Sequence, residues 1–164
     1  MTKLPGEVSF RLHLHRTIKA TAEAAFRACS DAELLARWFT TRAQVDLQTG
    51  GKYSNADGDC GTYLSIEPPH LLSFTWENPR HCPGSIVTLT FRDVARGRML
   101  IRLLHRDLKS ADEVNHMRDG WQCALTNLKL FLEEGKTITF EDWQKLPRKR
   151  GGGSSDEHEA LNGS

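Results

Sequence analysis

Asp112-Glu-Val-Asn-His-Met-Arg-Asp-Gly-Trp-Gln-Cys-Ala-Leu-Thr-Asn-Leu-Lys-Leu-Phe-Leu-Glu-Glu134 is the longest periodic stretch of the chain. Met117, Trp121, Ala124, Leu125, Leu128 and Leu132 recur in it at helical spacing and form one broad apolar stripe. Asp112 falls where the polarised start of a helix favours an acid, and Gly135 falls where a helix stops. A stripe of this length must be buried against a second layer.

Upstream residues supply that layer. Val8, Phe10, Leu12 and Leu14 alternate with Ser9, Arg11, His13 and His15, the period of a strand with one buried face. Thr21–Cys29 is alanine-rich behind a threonine cap and predicts a short helix. Ser30-Asp-Ala-Glu33 has capping-box spacing and predicts a second helix through Trp38 and Phe39. Turn signals at Gln48-Thr-Gly-Gly51 and Asn55-Ala-Asp-Gly58 then separate short strands at 43–47, 51–54 and 61–67. Pro68-Pro69 divides the last of these from a strand over 71–76. A loop holding Pro79 and Pro83 leads to longer strands at 85–92 and 98–106, joined by Val94-Ala-Arg-Gly97. Strands with such short links pair antiparallel. The expected fold class is α+β: a curved antiparallel sheet wrapped around one long C-terminal helix, with two short helices after the first strand.

The 164 residues fit one domain. The expected division is an N-terminal extension over 1–7, the domain over 8–146, and a flexible charged Gly/Ser tail over 147–164. Lys and Arg total 22 against 21 Asp and Glu, which argues against a dedicated nucleic-acid module but leaves room for a local basic patch. There is no run of apolar residues long enough to span a membrane, and the start lacks the apolar core of a signal peptide, so the expected location is cytoplasmic. Cys29, Cys60, Cys82 and Cys123 match no CxxC zinc pattern and read as free thiols.

Several segments carry a resemblance. They are Arg16-Thr-Ile-Lys-Ala20, Asp31-Ala-Glu-Leu-Leu-Ala-Arg-Trp-Phe39, Asp46-Leu-Gln-Thr-Gly-Gly-Lys-Tyr53 and Gly61-Thr-Tyr-Leu-Ser-Ile-Glu-Pro-Pro-His-Leu-Leu-Ser-Phe-Thr-Trp76. Ser85-Ile-Val-Thr-Leu-Thr, Leu103-Leu-His105 and His116-Met-Arg-Asp-Gly-Trp121 follow in the same order. Together they resemble the family named for the activator of heat shock protein 90 ATPase, within the START-like (SRPBCC) superfamily. Thr21 departs from the proline usual there, and the loop between Tyr53 and Gly61 is short for the family. The resemblance implies the helix-grip fold with a cavity between sheet and helix. It does not fix an activity, because the superfamily includes ligand carriers, cyclases and co-chaperone domains.

Strand parity places Leu72, Phe74 and Trp76 on one face, with Leu89, Ile101, Leu103 and His105 on the matching faces of the next two strands. The helix adds Met117, Trp121 and Leu125, and Trp38 and Phe39 close one end. These twelve residues are the expected lining of an apolar ligand cavity, or equally the filling of a core. His105 is the notable polar member, either a general base or a satisfied core histidine. His116 would cap the helix start or line the cavity mouth. His13 and His15 share a strand face, but no further ligand completes a metal site, and no cofactor is expected. Arg16 is expected to pair with an acid such as Asp31 or Asp46. No GxSxG motif or phosphate loop occurs.

The leading reading is a non-catalytic START-like domain whose partner is a small hydrophobic ligand. The first alternative is an interaction domain stimulating the ATPase of a heat shock protein 90 family chaperone. The second is a cyclase- or hydrolase-like enzyme with His105 as base and Tyr53 or Tyr63 as acid. Nucleic acid is not an expected partner.

Overall fold

The computed structural model describes residues 9–147. Val8 with the expected extension, and the expected tail past Pro147, lie outside them. The alternation around Leu12 and Leu14 becomes strand β1, Phe10–Ile18, with both leucines fully buried. Helix α1 spans Ala22–Ser30, and the Thr21 hydroxyl accepts from the Ala24 N–H as the expected cap. Helix α2 spans Ala32–Trp38, but its cap is Asp31 and not Ser30. The Asp31 carboxylate accepts from the Leu34 N–H, whereas the Ser30 hydroxyl turns back to the Phe26 carbonyl inside α1. A carboxylate at the junction satisfies the second helix better than a hydroxyl already spent on the first.

Six further strands follow: β2 (Ala43–Val45), β3 (Lys52–Asn55), β4 (Cys60–Glu67), β5 (Leu71–Trp76), β6 (Ser85–Ala95) and β7 (Arg98–Leu108). Strands β6 and β7 run longer than expected, because only Arg96-Gly97 separates them. The sheet is antiparallel in the order β1-β7-β6-β5-β4-β3-β2, which brings the first strand beside the last. Gly61 on β4 lies so close to β5 that a methyl there would meet the Thr75 carbonyl oxygen.

The long helix α3 spans Ala111–Glu134 and ends at Gly135, whose φ of 67° is the left-handed stop. Its Val114, Met117, Trp121, Leu125 and Leu128 are buried against the concave side of the curved sheet. There they meet Leu72, Val87, Phe91, Met99, Ile101 and Leu103, also buried. This is the helix-grip fold.

Arg16 also points to this side. Its guanidinium donates to the Gln122 side-chain oxygen at 2.6 Å and the Thr126 hydroxyl at 3.3 Å, tying β1 to α3. The acids expected to pair with it are used elsewhere. Asp31 caps α2, and Asp46 accepts from the Gln48 amide.

After Gly135 the chain folds back. The Asn127 side chain holds Ile138 at two points, accepting from its N–H at 2.7 Å and donating to its carbonyl at 3.0 Å. A short helix α4, Phe140–Gln144, then packs along α3.

Candidate functional site

The concave face contains one buried polar line. The Trp121 indole N–H donates to His105 Nδ1 at 2.9 Å. An indole only donates, so Nδ1 carries a lone pair and the neutral ring holds its proton on Nε2. That N–H donates to the Ser85 hydroxyl at 2.7 Å, and the hydroxyl in turn donates to the Cys82 carbonyl at 2.7 Å. His105 is wholly buried, and burial pulls its pKa down to about 3. Both ring nitrogens are thus engaged, so the arrangement describes a satisfied core histidine rather than a poised base.

Burial holds both tyrosines in the neutral form. The Tyr53 hydroxyl donates to the Thr75 carbonyl at 2.6 Å, and burial with the nearby Asp59 charge pushes its pKa far up. Burial pushes Tyr63 up to about 12. Neither phenol is tuned for proton transfer near neutral pH.

Beside this line lies an apolar cavity of about 70 Å³, between α2, β2, β3 and the sheet. Of the twelve residues expected to line a site, Trp38, Phe39, Phe74, Trp76, Leu89 and Trp121 border it. Trp38 is anchored by its indole N–H donating to the Ala28 carbonyl at 2.8 Å. Cys29, Leu35, Thr40, Ala43, Val45, Tyr53, Ser54, Asn55 and Tyr63 complete the wall and were not among the expected residues. Burial pushes the Cys29 thiol up to about 12, so it contributes only as a small apolar group.

A larger groove of about 430 Å³ opens on the far side of the same rings. Phe39, Trp76, Met117 and Trp121 form its inner wall, and Phe140 and Gln144 of α4 its outer wall. His81 and His116 stand at its rim with their rings stacked 4.9 Å apart, and Nδ1 of His81 lies 2.8 Å from Nε2 of His116. His116 is therefore a rim residue. The helix start is capped by Ser110, whose hydroxyl accepts from the Glu113 N–H. Leu72, Ile101, Leu103, His105 and Leu125 border neither space and form the packed floor behind the rings.

Phe39, Trp76 and Trp121 therefore separate the two spaces. Phe39 lies nearly parallel to Trp121, with ring centres 6.1 Å apart, and Trp76 sits 5.2 Å from Trp121. Among the described residues no group of three or more His, Cys, Asp or Glu side chains is placed to hold a metal ion. No helix among them is long and apolar enough to cross a membrane.

The model of the activator of Hsp90 ATPase homolog 1-like proteins matches residues 19–133. The chain belongs to this family. No curated protein matches it in sequence. Among solved structures, CalU16 from Micromonospora echinospora is 25% identical with a TM-score of 0.70, over 82% of this chain and 83% of that one. PFC0360w, described as an HSP90 activator from Plasmodium falciparum, is 26% identical with a TM-score of 0.64, over 76% and 96%. The Aha1 dimer from Colwellia psychrerythraea shares the fold at 20% identity with a TM-score of 0.69, over 77% and 98%. The family match ends before α4, so the outer wall of the groove lies beyond the matched segment.

Proposed function

We propose that this START-like domain binds a small, flat, largely apolar molecule without transforming it, in the cytoplasm. The observation that carries this is the shared wall of Phe39, Trp76 and Trp121. The inner cavity alone is far below the roughly 300–1,000 Å³ of small-molecule sites, whereas the groove of about 430 Å³ falls within that range. Movement of these shared rings would join the two spaces into one slot with an apolar inner end and a polar mouth at Asp59, His81, His116, Asp119 and Gln144. Trp38, Phe39, Phe74, Trp76, Leu89, Met117 and Trp121 would then touch the ligand, with Leu72, Ile101, Leu103, His105 and Leu125 as rigid backing. The four free thiols suit a reducing compartment.

Native mass spectrometry of the full chain, with analysis of its organic extract, tests the reading. A stoichiometric adduct that is lost on denaturation and absent from Leu89→Trp supports it. A clean subunit mass, together with no tryptophan quenching by 1-anilinonaphthalene-8-sulfonate, overturns it.

A second reading is stimulation of a heat shock protein 90 family chaperone. It is favoured by the family and by PFC0360w, 96% of which is covered by the match to this chain. A coupled ATPase assay with purified heat shock protein 90 would show a raised turnover. An unchanged turnover at saturating protein removes this reading.

A further inference from the structure

The outer face of β1, β7 and β6 is opposite to the one gripped by α3, and its charge is not balanced like that of the whole chain. On β7 the outward residues are Arg98, Leu100, Arg102, Leu104 and Arg106, alternating with the buried Met99, Ile101, Leu103 and His105. The register sets Thr90 and His15 on either side of Arg102, and places Arg92 beside Leu100. The arginines at 92, 98, 102 and 106 are exposed, and Leu100 and Leu104 are half-buried between them. Outward positions of these three strands carry no carboxylate. Asp93 faces the other way and accepts from the Ala22 N–H, and Asp107 reaches round to Arg106 at 3.1 Å. Four arginines thus share one sheet face in a chain whose net charge is only +1.

We propose that this face docks an extended acidic segment of a partner protein, with aliphatic side chains set between its acids. Same-face residues on a strand recur every ~6.8 Å, so the Arg-Leu-Arg-Leu-Arg row matches a segment of the form acid-x-aliphatic-x-acid. Arginine forks bind carboxylates in pairs, and Leu100 and Leu104 offer the apolar contact between them. Alternation is what separates this partner from a plain polyanion. Sheets that read single-stranded nucleic acid do so with rows of aromatic rings, and the outward positions here carry no Phe, Tyr or Trp, only the imidazoles of His13 and His15 at the edge strand. The surface is separate from the groove, so it stands whether or not the ligand reading does.

The probe is the nonapeptide Glu-Thr-Leu-Thr-Glu-Thr-Leu-Thr-Glu, labelled and titrated into the full-length chain. Binding is expected to weaken about tenfold in Arg98→Glu/Arg102→Glu and about threefold in Arg98→Lys/Arg102→Lys, which keeps the charge but loses the fork. It should fall as NaCl rises from about 50 to about 500 mM. Amide shifts should cluster on β1, β6 and β7, and melting of both variants should stay near that of the parent. Equal or tighter binding of the same peptide with glutamate in place of its leucines overturns the proposal. So does equal binding of a single-stranded DNA oligonucleotide or phosphatidylserine vesicles, which would mark the face as a generic anion surface. Absent binding, or shifts confined to the groove, also overturns it.

Discussion

Trp121 donates its indole N–H to Nδ1 of His105 at 2.9 Å, and that one bond decides where the imidazole proton sits. The rest of the line from Nε2 to Ser85 to the Cys82 carbonyl follows without freedom. Helix α3 and strands β6 and β7 are therefore joined by a polar contact inside an apolar core, where a mispaired atom is costly.

Acid stability should report this line directly. Folding pulls the His105 pKa from 6.5 down to about 3. Below pH 6.5 the unfolded chain binds a proton that the folded chain refuses. Its contribution is fully present above pH 6.5 and is lost as pH falls towards 3, at about 1.4 kcal/mol per pH unit. Urea unfolding between those limits should show this slope, and His105→Gln should flatten it. An unchanged slope would place the titrating group elsewhere.

Trp121→Phe keeps most of the packing but leaves Nδ1 of His105 buried without its donor. The expected cost is about 1–3 kcal/mol, read as a lower urea midpoint at unchanged m-value. Long-range proton–nitrogen NMR should find the ring protonated at Nε2 in the parent.

Gly61→Ala should be among the most damaging single changes. The added methyl meets the Thr75 carbonyl oxygen, which belongs to the backbone of β5 and cannot swing aside. A loss of at least about 2 kcal/mol is expected. Gly120→Ala, where the same methyl meets nothing within 4 Å, is the matched control and should be neutral or slightly stabilising.

Asn127→Ala should release the C-terminal strap while sparing the core. Both polar groups of Ile138 depend on that one side chain. Hydrogen exchange at Ile138 should accelerate by an order of magnitude or more, with amides of β6 and β7 unchanged. Equal protection in the variant would mean that the contacts of α4 hold the strap without the Asn127 amide.

Much of the fold was legible because its signals are local. The Leu12–Leu14 alternation, the Leu71–Trp76 strand and the stripe through Trp121 each have a period that only one element satisfies. The concave set from Leu72 to His105 followed from parity alone. Other readings turned on competition between neighbours. Ser30 and Asp31 can both cap α2, and only the geometry of the junction shows that Ser30 is already used. The Ser110–Glu113 spacing was an available capping signal at the start of α3, obscured by the acid at 112. Arg16 has the parity of Leu14 and Ile18 and so faces inward, a conclusion that its charge alone would oppose. The groove was hidden for a different reason. His81 sits in a loop with no period to read, and Phe140 and Gln144 span a helix of five residues, too short for a periodic signal to stand out.

The Asn127 clamp has a consequence for the groove. The matched family segment stops at residue 133, and the groove's outer wall is carried past it on a strap whose Ile138 is held by the Asn127 amide. Substitutions confined to this strap would therefore reshape the groove's outer wall while the interior under the sheet stays untouched.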